Sequence, residues 1–174
     1  MRIVDVHSHM LPPSYLAFFD EAGVDPRAID GFPQPSWSAD KELAFVDEVG
    51  IDHSVLTISS PHIYLGKPDR SAYWARRINE ELADFCSAHG DRFGFCAVLP
   101  TPCVDESIEE ARHALDDLGA LGVKIPSNAG GVYAGDARFE PLYDFLDERG
   151  SVVIIHPNAP QEVPQGCFTA GPKP

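Results

Sequence analysis

The chain has 174 residues and a net charge of −14, from 27 acidic against 13 basic side chains. Its 44% hydrophobic and 23% charged content is that of a folded globular domain, not of a disordered segment. The acidic excess argues against nucleic acid and anionic membranes as partners, and the longest apolar runs, such as Val152–Ile155, are far too short to cross a bilayer.

Arg2–His7 is a short β-rich run that opens the chain. Arg2 is soon followed by Asp5 and His7, with no apolar leader core or cleavage site, so the chain reads as cytoplasmic. Pro12 and Pro13 stop the run, and Ser14 is placed to cap a short helix through Ala22. Gly23 to Trp37 is rich in proline and glycine and reads as a loop. Ser38 is placed to cap a second helix, ended by Gly50, whose predicted apolar face is Leu43, Phe45, Val46 and Val49. Ser54–Ile58 is a second strand. Asp69–His89 is a long helix with Trp74, Ile78, Leu82 and Phe85 at helical spacing, and Gly90 follows as a stop.

Phe93–Leu99 is a third strand, ended by Pro100 and Pro102. Asp105–Leu118 is a helix with Ile108, Ala111, Leu115 and Leu118 inward. Gly122–Ile125 is a fourth strand, followed by a glycine-rich loop to Gly135. Phe139–Arg149 is a helix with Leu142, Phe145 and Leu146 on one face, and Ser151–His156 is a fifth strand. No clear element follows Pro157. The four cysteines, Cys86, Cys96, Cys103 and Cys167, lack zinc-knuckle spacing and disulfide density and read as ordinary reduced residues.

This is an α/β pattern on a single domain, residues 1–174, with no linker that divides it. Strands two to five are nearly all-apolar runs, as parallel strands covered on both faces are. Their spacing of roughly 30–40 residues is that of βα units. Two architectures fit: a doubly wound open sheet and a (β/α)8 barrel. The glycine-rich dinucleotide fingerprint is missing after the first strand, where His7-Ser-His9-Met stands. A barrel ordinarily takes about 250 residues and eight strands, and here the pattern shows five β/α units.

Reactive residues gather where the strands end: His7 and His9, then Ser59, Ser60 and His62, then Thr101, Lys124 and Asn128, then His156 and Asn158. In parallel α/β folds this rim binds ligands. The sharpest feature is Asp5-Val-His7-Ser-His9. Strand alternation puts His7 and His9 on one side, about 7 Å apart, with Asp5 of the same parity. Two such imidazoles can chelate a divalent metal, and a further ligand from another strand would complete a catalytic site. His156 ends a strand of β-branched residues and belongs to the same rim.

Lys124 lies within the fourth strand, where a buried lysine is costly unless paired or modified. Its stem can run in the strand wall with its head at the rim, or it can meet an anionic substrate or be carbamylated. His62 is a rim-loop candidate for substrate contact and Asn158 another. Trp37 can pack over a cavity mouth or into the core. His53, His89 and His113 sit at helix or strand boundaries and read as structural.

The run Asp5-Val-His7-Ser-His9-Met-Leu-Pro12-Pro, with Pro35-Ser-Trp37-Ser, Asp91-Arg-Phe-Gly-Phe95, Gly122-Val-Lys124, Phe139-Glu-Pro-Leu142 and Val153-Ile-Ile-His156-Pro157, resembles the amidohydrolase-related superfamily. The branch is the one containing 2-amino-3-carboxymuconate-6-semialdehyde decarboxylase and 6-methylsalicylate decarboxylase-like proteins. The resemblance implies a (β/α)8 barrel with one divalent metal ion, zinc, held by His7, His9 and His156. The family also uses an acid/base histidine after strand six and a metal aspartate after strand eight. No residue before Pro174 matches either, so the chain is expected to be the N-terminal portion of a barrel.

The implied function is a metal-dependent decarboxylase of a small aromatic or dienoic carboxylate, or an inactive fragment of one. A hydrolase of amides or lactones would use the same first half of the barrel. A non-catalytic relic, or a subunit completed by a partner, is the third reading. A phosphoesterase that also opens on His-x-His is disfavoured by His156-Pro157. Unpaired edge strands in an open barrel are expected to make the chain a homo-oligomer.

Overall fold

The computed structural model describes residues 2–25, 36–64 and 66–158. Pro35, Cys167 and the segment after Asn158 lie outside the described residues, as does most of the Gly23–Trp37 loop.

Strand β1 is Val4–His9, followed by α1 (Pro13–Ala22) and α2 (Ala39–Val49). Strand β2 (His53–Thr57), α3 (Pro68–Ala88), β3 (Phe93–Val98), α4 (Val104–Arg112) and β4 (Gly122–Pro126) follow in strict alternation. A small antiparallel hairpin, β5 (Asn128–Ala129) with β6 (Val132–Tyr133), then precedes α5 (Glu140–Asp147) and β7 (Val152–His156).

The main sheet has the order β1-β2-β3-β4-β7, and every neighbouring pair in it is parallel. This order decides between the two architectures. A doubly wound sheet reverses its strand order at a switch point, which puts helices on both faces. Here each crossover advances in one direction, so right-handed connections keep the helices on one face. That is a barrel wall, five consecutive β/α units long. His9 on one edge strand meets His156 on the other, so the wall curls into a half-barrel with a concave inner face.

The helix side holds the core. Tyr15, Phe19, Leu56, Ile58, Ile78, Leu82, Phe93 and Phe95 form one cluster between α1, α3 and the first strands. Leu99, Ala111, Val123, Ile125, Leu142 and Leu146 form a second beneath α4 and α5. A polar clamp joins α3, β3 and α4. Buried Asn79 bonds both the N–H and the carbonyl of Val98, each at 2.9 Å, and donates to Glu110 at 2.8 Å, while Arg76 holds the other Glu110 oxygen at 2.7 Å. Gly122 lets β7 approach β4, because a Cβ there would stand 2.4 Å from the Val152 carbonyl oxygen.

The helices follow the capping signals with exceptions. Ser38 caps α2, its hydroxyl accepting from the Lys41 N–H at 3.3 Å, and Gly50 ends that helix with φ 78°. Ser14 is not a cap: α1 starts at Pro13, and the Ser14 N–H and hydroxyl both bond the Glu81 carboxylate of α3, at 3.0 and 2.9 Å. On α2 only Val46 is buried, and Phe45 and Val49 are exposed, because one narrow stripe of this helix meets the core. The helix expected to run to Leu118 leaves α geometry after Arg112 and closes in a π turn over His113–Asp117. The glycine-rich loop carries the β5–β6 hairpin. Strand β7 is not covered on both faces; Val152 and Ile155 are exposed because it is an edge strand.

No described helix is long and apolar enough to cross a membrane. Cys86, Cys96 and Cys103 are free thiols.

Candidate metal centre

The site is assembled from the two edge strands. Register along β1 and β2 runs Val4 to His53 and Asp5 to Ser54, then resumes at Ser8 to Leu56 and His9 to Thr57. One extra residue therefore lies in β1 between Asp5 and Ser8. Such a bulge bends the strand and re-aims side chains. It also breaks the parity expected of Asp5. The Asp5 carboxylate turns back to accept the His7 N–H at 3.0 Å and does not join the imidazoles.

His7, His9 and His156 do join. The Nε2 atoms of His7 and His9 are 3.0 Å apart, and those of His9 and His156 are 3.2 Å apart. One ring nitrogen from each residue can be chosen so that all lie within 4.8 Å of one another. Among the described residues this is the one group of three potential metal ligands.

The protonation pattern suits a cation. His156 Nδ1 lies 2.8 Å from the Pro157 carbonyl, which can only accept, so Nδ1 carries the proton and Nε2 presents its lone pair. A backbone acceptor on the distal ring nitrogen is the usual orienting contact of a metal-binding histidine. Burial first, then the His7 and His156 rings and Lys124, push His9 down to about 4, which keeps it neutral. A single proton can bridge only two of three facing nitrogens, whereas a divalent cation can take a lone pair from each. Three imidazole nitrogens are a donor set that suits a divalent metal.

The strand β1 end is held from behind. Ser8, between the two histidines, donates to Glu42 of α2 at 3.1 Å, and the indole N–H of Trp37 donates to the other Glu42 oxygen at 3.1 Å. Trp37 also meets Phe85 edge to face, with ring centroids 5.6 Å apart. Its contacts run to α2 and α3, not to the imidazoles. Glu42 had no signal in the sequence beyond its place in the first turn of a helix.

His62 is buried, 4% exposed, with Nε2 3.0 Å from the Thr101 carbonyl and 3.2 Å from the Thr101 hydroxyl. Burial, with Lys124 nearby, lowers it to about 3. Lys124 is 1% exposed, and burial brings it down to about 7. Asn158 is tied to the loop after β4: its amide donates to the Asn128 carbonyl at 2.9 Å, and Asn128 returns a bond to the Asn158 carbonyl at 2.8 Å. His53, His89 and His113 make the structural contacts expected of them, with the Asp91 carbonyl, the Phe85 carbonyl and the Asp117 carboxylate.

The Amidohydrolase family model matches residues 4–169. The chain belongs to the amidohydrolase family. Among curated amidohydrolase relatives, a decarboxylase of Aspergillus niger is 36% identical over 90% of this chain and 44% of its own length. The 6-methylsalicylic acid decarboxylase of Aspergillus aculeatus is 31% identical over 91% of this chain and 48% of its own. The chain thus spans about half the length of the curated relatives it matches. A solved structure described as an amidohydrolase II is 32% identical, with a TM-score of 0.88 over 94% of this chain and 53% of that one. The 5-carboxyvanillate decarboxylase of Novosphingobium aromaticivorans, solved with manganese and a nitrobenzoic acid, shares the fold at 24% identity and a TM-score of 0.76, over 91% of this chain and 51% of that one.

Proposed function

We propose that this chain supplies the metal-binding half of a decarboxylase that acts on a small aromatic carboxylate. The observation that carries the reading is the convergence of three Nε2 atoms from opposite edges of the sheet. The names of the relatives support the substrate class, and a manganese-bound neighbour supports a divalent ion. Zinc is the ion we assign, because three imidazole nitrogens suit it.

His7, His9 and His156 would hold the ion, which when bound acts as a Lewis acid toward a substrate oxygen. His9 stays neutral at physiological pH and so keeps its lone pair for that purpose. The Pro157 carbonyl holds the His156 tautomer, and Glu42 holds the strand through Ser8. Loss of carbon dioxide then requires a proton at the vacated carbon. We assign that delivery to the half of the family's barrel that this chain does not cover. The chain alone is expected to bind metal and substrate with little or no turnover.

The test is metal content after zinc loading, with wild type set against His7→Ala and His156→Ala. About one equivalent is expected for wild type, and far less for either variant, since each ligand contributes strongly to affinity. Equal occupancy in all three would refute the site. Carbon dioxide release from 6-methylsalicylate by the zinc-loaded chain is measured alongside, and robust release would show that the catalytic proton donor lies within these residues.

A further inference from the structure

Lys124 is a buried lysine of β4 with no anionic partner among the described residues. Its strand neighbours Val123 and Ile125 pack with Ala111 and Leu142 on the helix side. Alternation along β4 therefore turns Lys124 to the concave face, across which His9 and His156 meet. The ammonium has three donors. The acceptor it reaches is the Ser59 carbonyl, at a long 3.5 Å, and the Tyr15 hydroxyl also lies 3.0 Å from that oxygen. None of the ion pairs among the described residues includes Lys124.

Among the described residues, the groups around it give no counter-charge. His62 is buried and neutral, and its Nδ1 has no partner. A cation withdrawn from water without an anion is costly, and an anion arriving on the same face removes much of that cost.

We propose that Lys124 is a specificity-determining residue, which recognises the anionic oxygen of the ligand brought to the imidazole cluster. The assignment rests on the reading of that cluster as a substrate-binding metal centre. It adds a second positive element, fixed in the sheet wall, that separates a carboxylate from a neutral isostere independently of the metal.

Equilibrium binding of salicylate and of salicylamide, its neutral isostere, to the zinc-loaded chain tests this. Wild type is expected to prefer the carboxylate. Lys124→Met is expected to lose about tenfold or more in salicylate affinity, the worth of one charge-assisted hydrogen bond, with salicylamide changed by less than about twofold. Zinc content stays the same, and Lys124→Arg restores part of the preference. Circular dichroism melts verify folding, and Lys124→Gln takes the place of Lys124→Met if the latter does not fold. An unchanged salicylate-to-salicylamide ratio in the folded variant overturns the assignment. A wild type that holds zinc yet binds both compounds equally also overturns it, and leaves the metal centre standing. A chain that takes up no zinc overturns the metal reading and this assignment together.

Discussion

Ser8 and Glu42 are joined at 3.1 Å across the boundary between sheet and helices, and Ser8 is the residue that separates His7 from His9. Glu42 also receives the Trp37 indole, so one carboxylate ties the strand that carries His7 and His9 to α2 and to the segment before it. Glu42→Ala removes both acceptors and frees the strand at its bulge. Zinc affinity, read by competition with a chromophoric chelator, is expected to fall about 10- to 100-fold, the range seen for supporting contacts of metal ligands. Glu42→Gln keeps one acceptor and should fall between the two. An affinity equal to wild type in Glu42→Ala would show that the strand needs no such support.

Stability should fall in acid through His62. Its folded-state value, about 3, lies below the ordinary 6.5, so the unfolded chain binds the proton first. The contribution is therefore fully present above 6.5 and is lost as pH falls from there toward 3. Each unit of that window is worth roughly 1.4 kcal/mol at most. Urea melts of wild type and His62→Gln at a series of pH values isolate the effect, because the other titrations cancel in the difference. A difference between the two that does not vary across this window would contradict the buried, neutral state of His62.

Asn79 holds three buried polar groups at once: the Val98 N–H, the Val98 carbonyl and a Glu110 oxygen. Asn79→Ala leaves them without that partner in a site water does not reach. The expected loss is about 3 kcal/mol, from the desolvation of unpaired buried groups. Chemical denaturation measures it. Asn79→Asp restores acceptors but no donor, so it should not rescue the bond to the Val98 carbonyl.

The edges of the sheet predict self-association. Among the described residues, strands β1 and β7 each pair on one side only, and they carry the exposed apolar residues Val4, Val6, Val152 and Ile155, with Val6 at 67% exposure. Unpaired, apolar edges recruit other strands. Light scattering over a dilution series is expected to show mass rising with concentration, and Val6→Lys with Ile155→Lys should reduce it. A monodisperse monomer of 19.0 kDa with a sharp melt would show that these edges are covered.

Much of this site is written locally. His-x-His at the end of a strand and a histidine ending an apolar β-branched run single out the three clustered histidines without any contact information, because strand parity and strand ends depend only on neighbouring residues. The βα alternation is legible for the same reason, and Ser38 and Gly50 mark α2 through local hydrogen bonding and a left-handed backbone. Strand order is different. Doubly wound sheet and barrel share one local pattern, and only the run β1-β2-β3-β4-β7 separates them, since it depends on which strands pair. The bulge in β1 belongs to that register and takes Asp5 out of the cluster. The bond of Ser8 to Glu42 spans 34 positions, and the meeting of His9 with His156 spans 147. No local rule reaches such separations. The curl of the sheet decides them, because it brings the two ends of the strand order face to face across the concave wall.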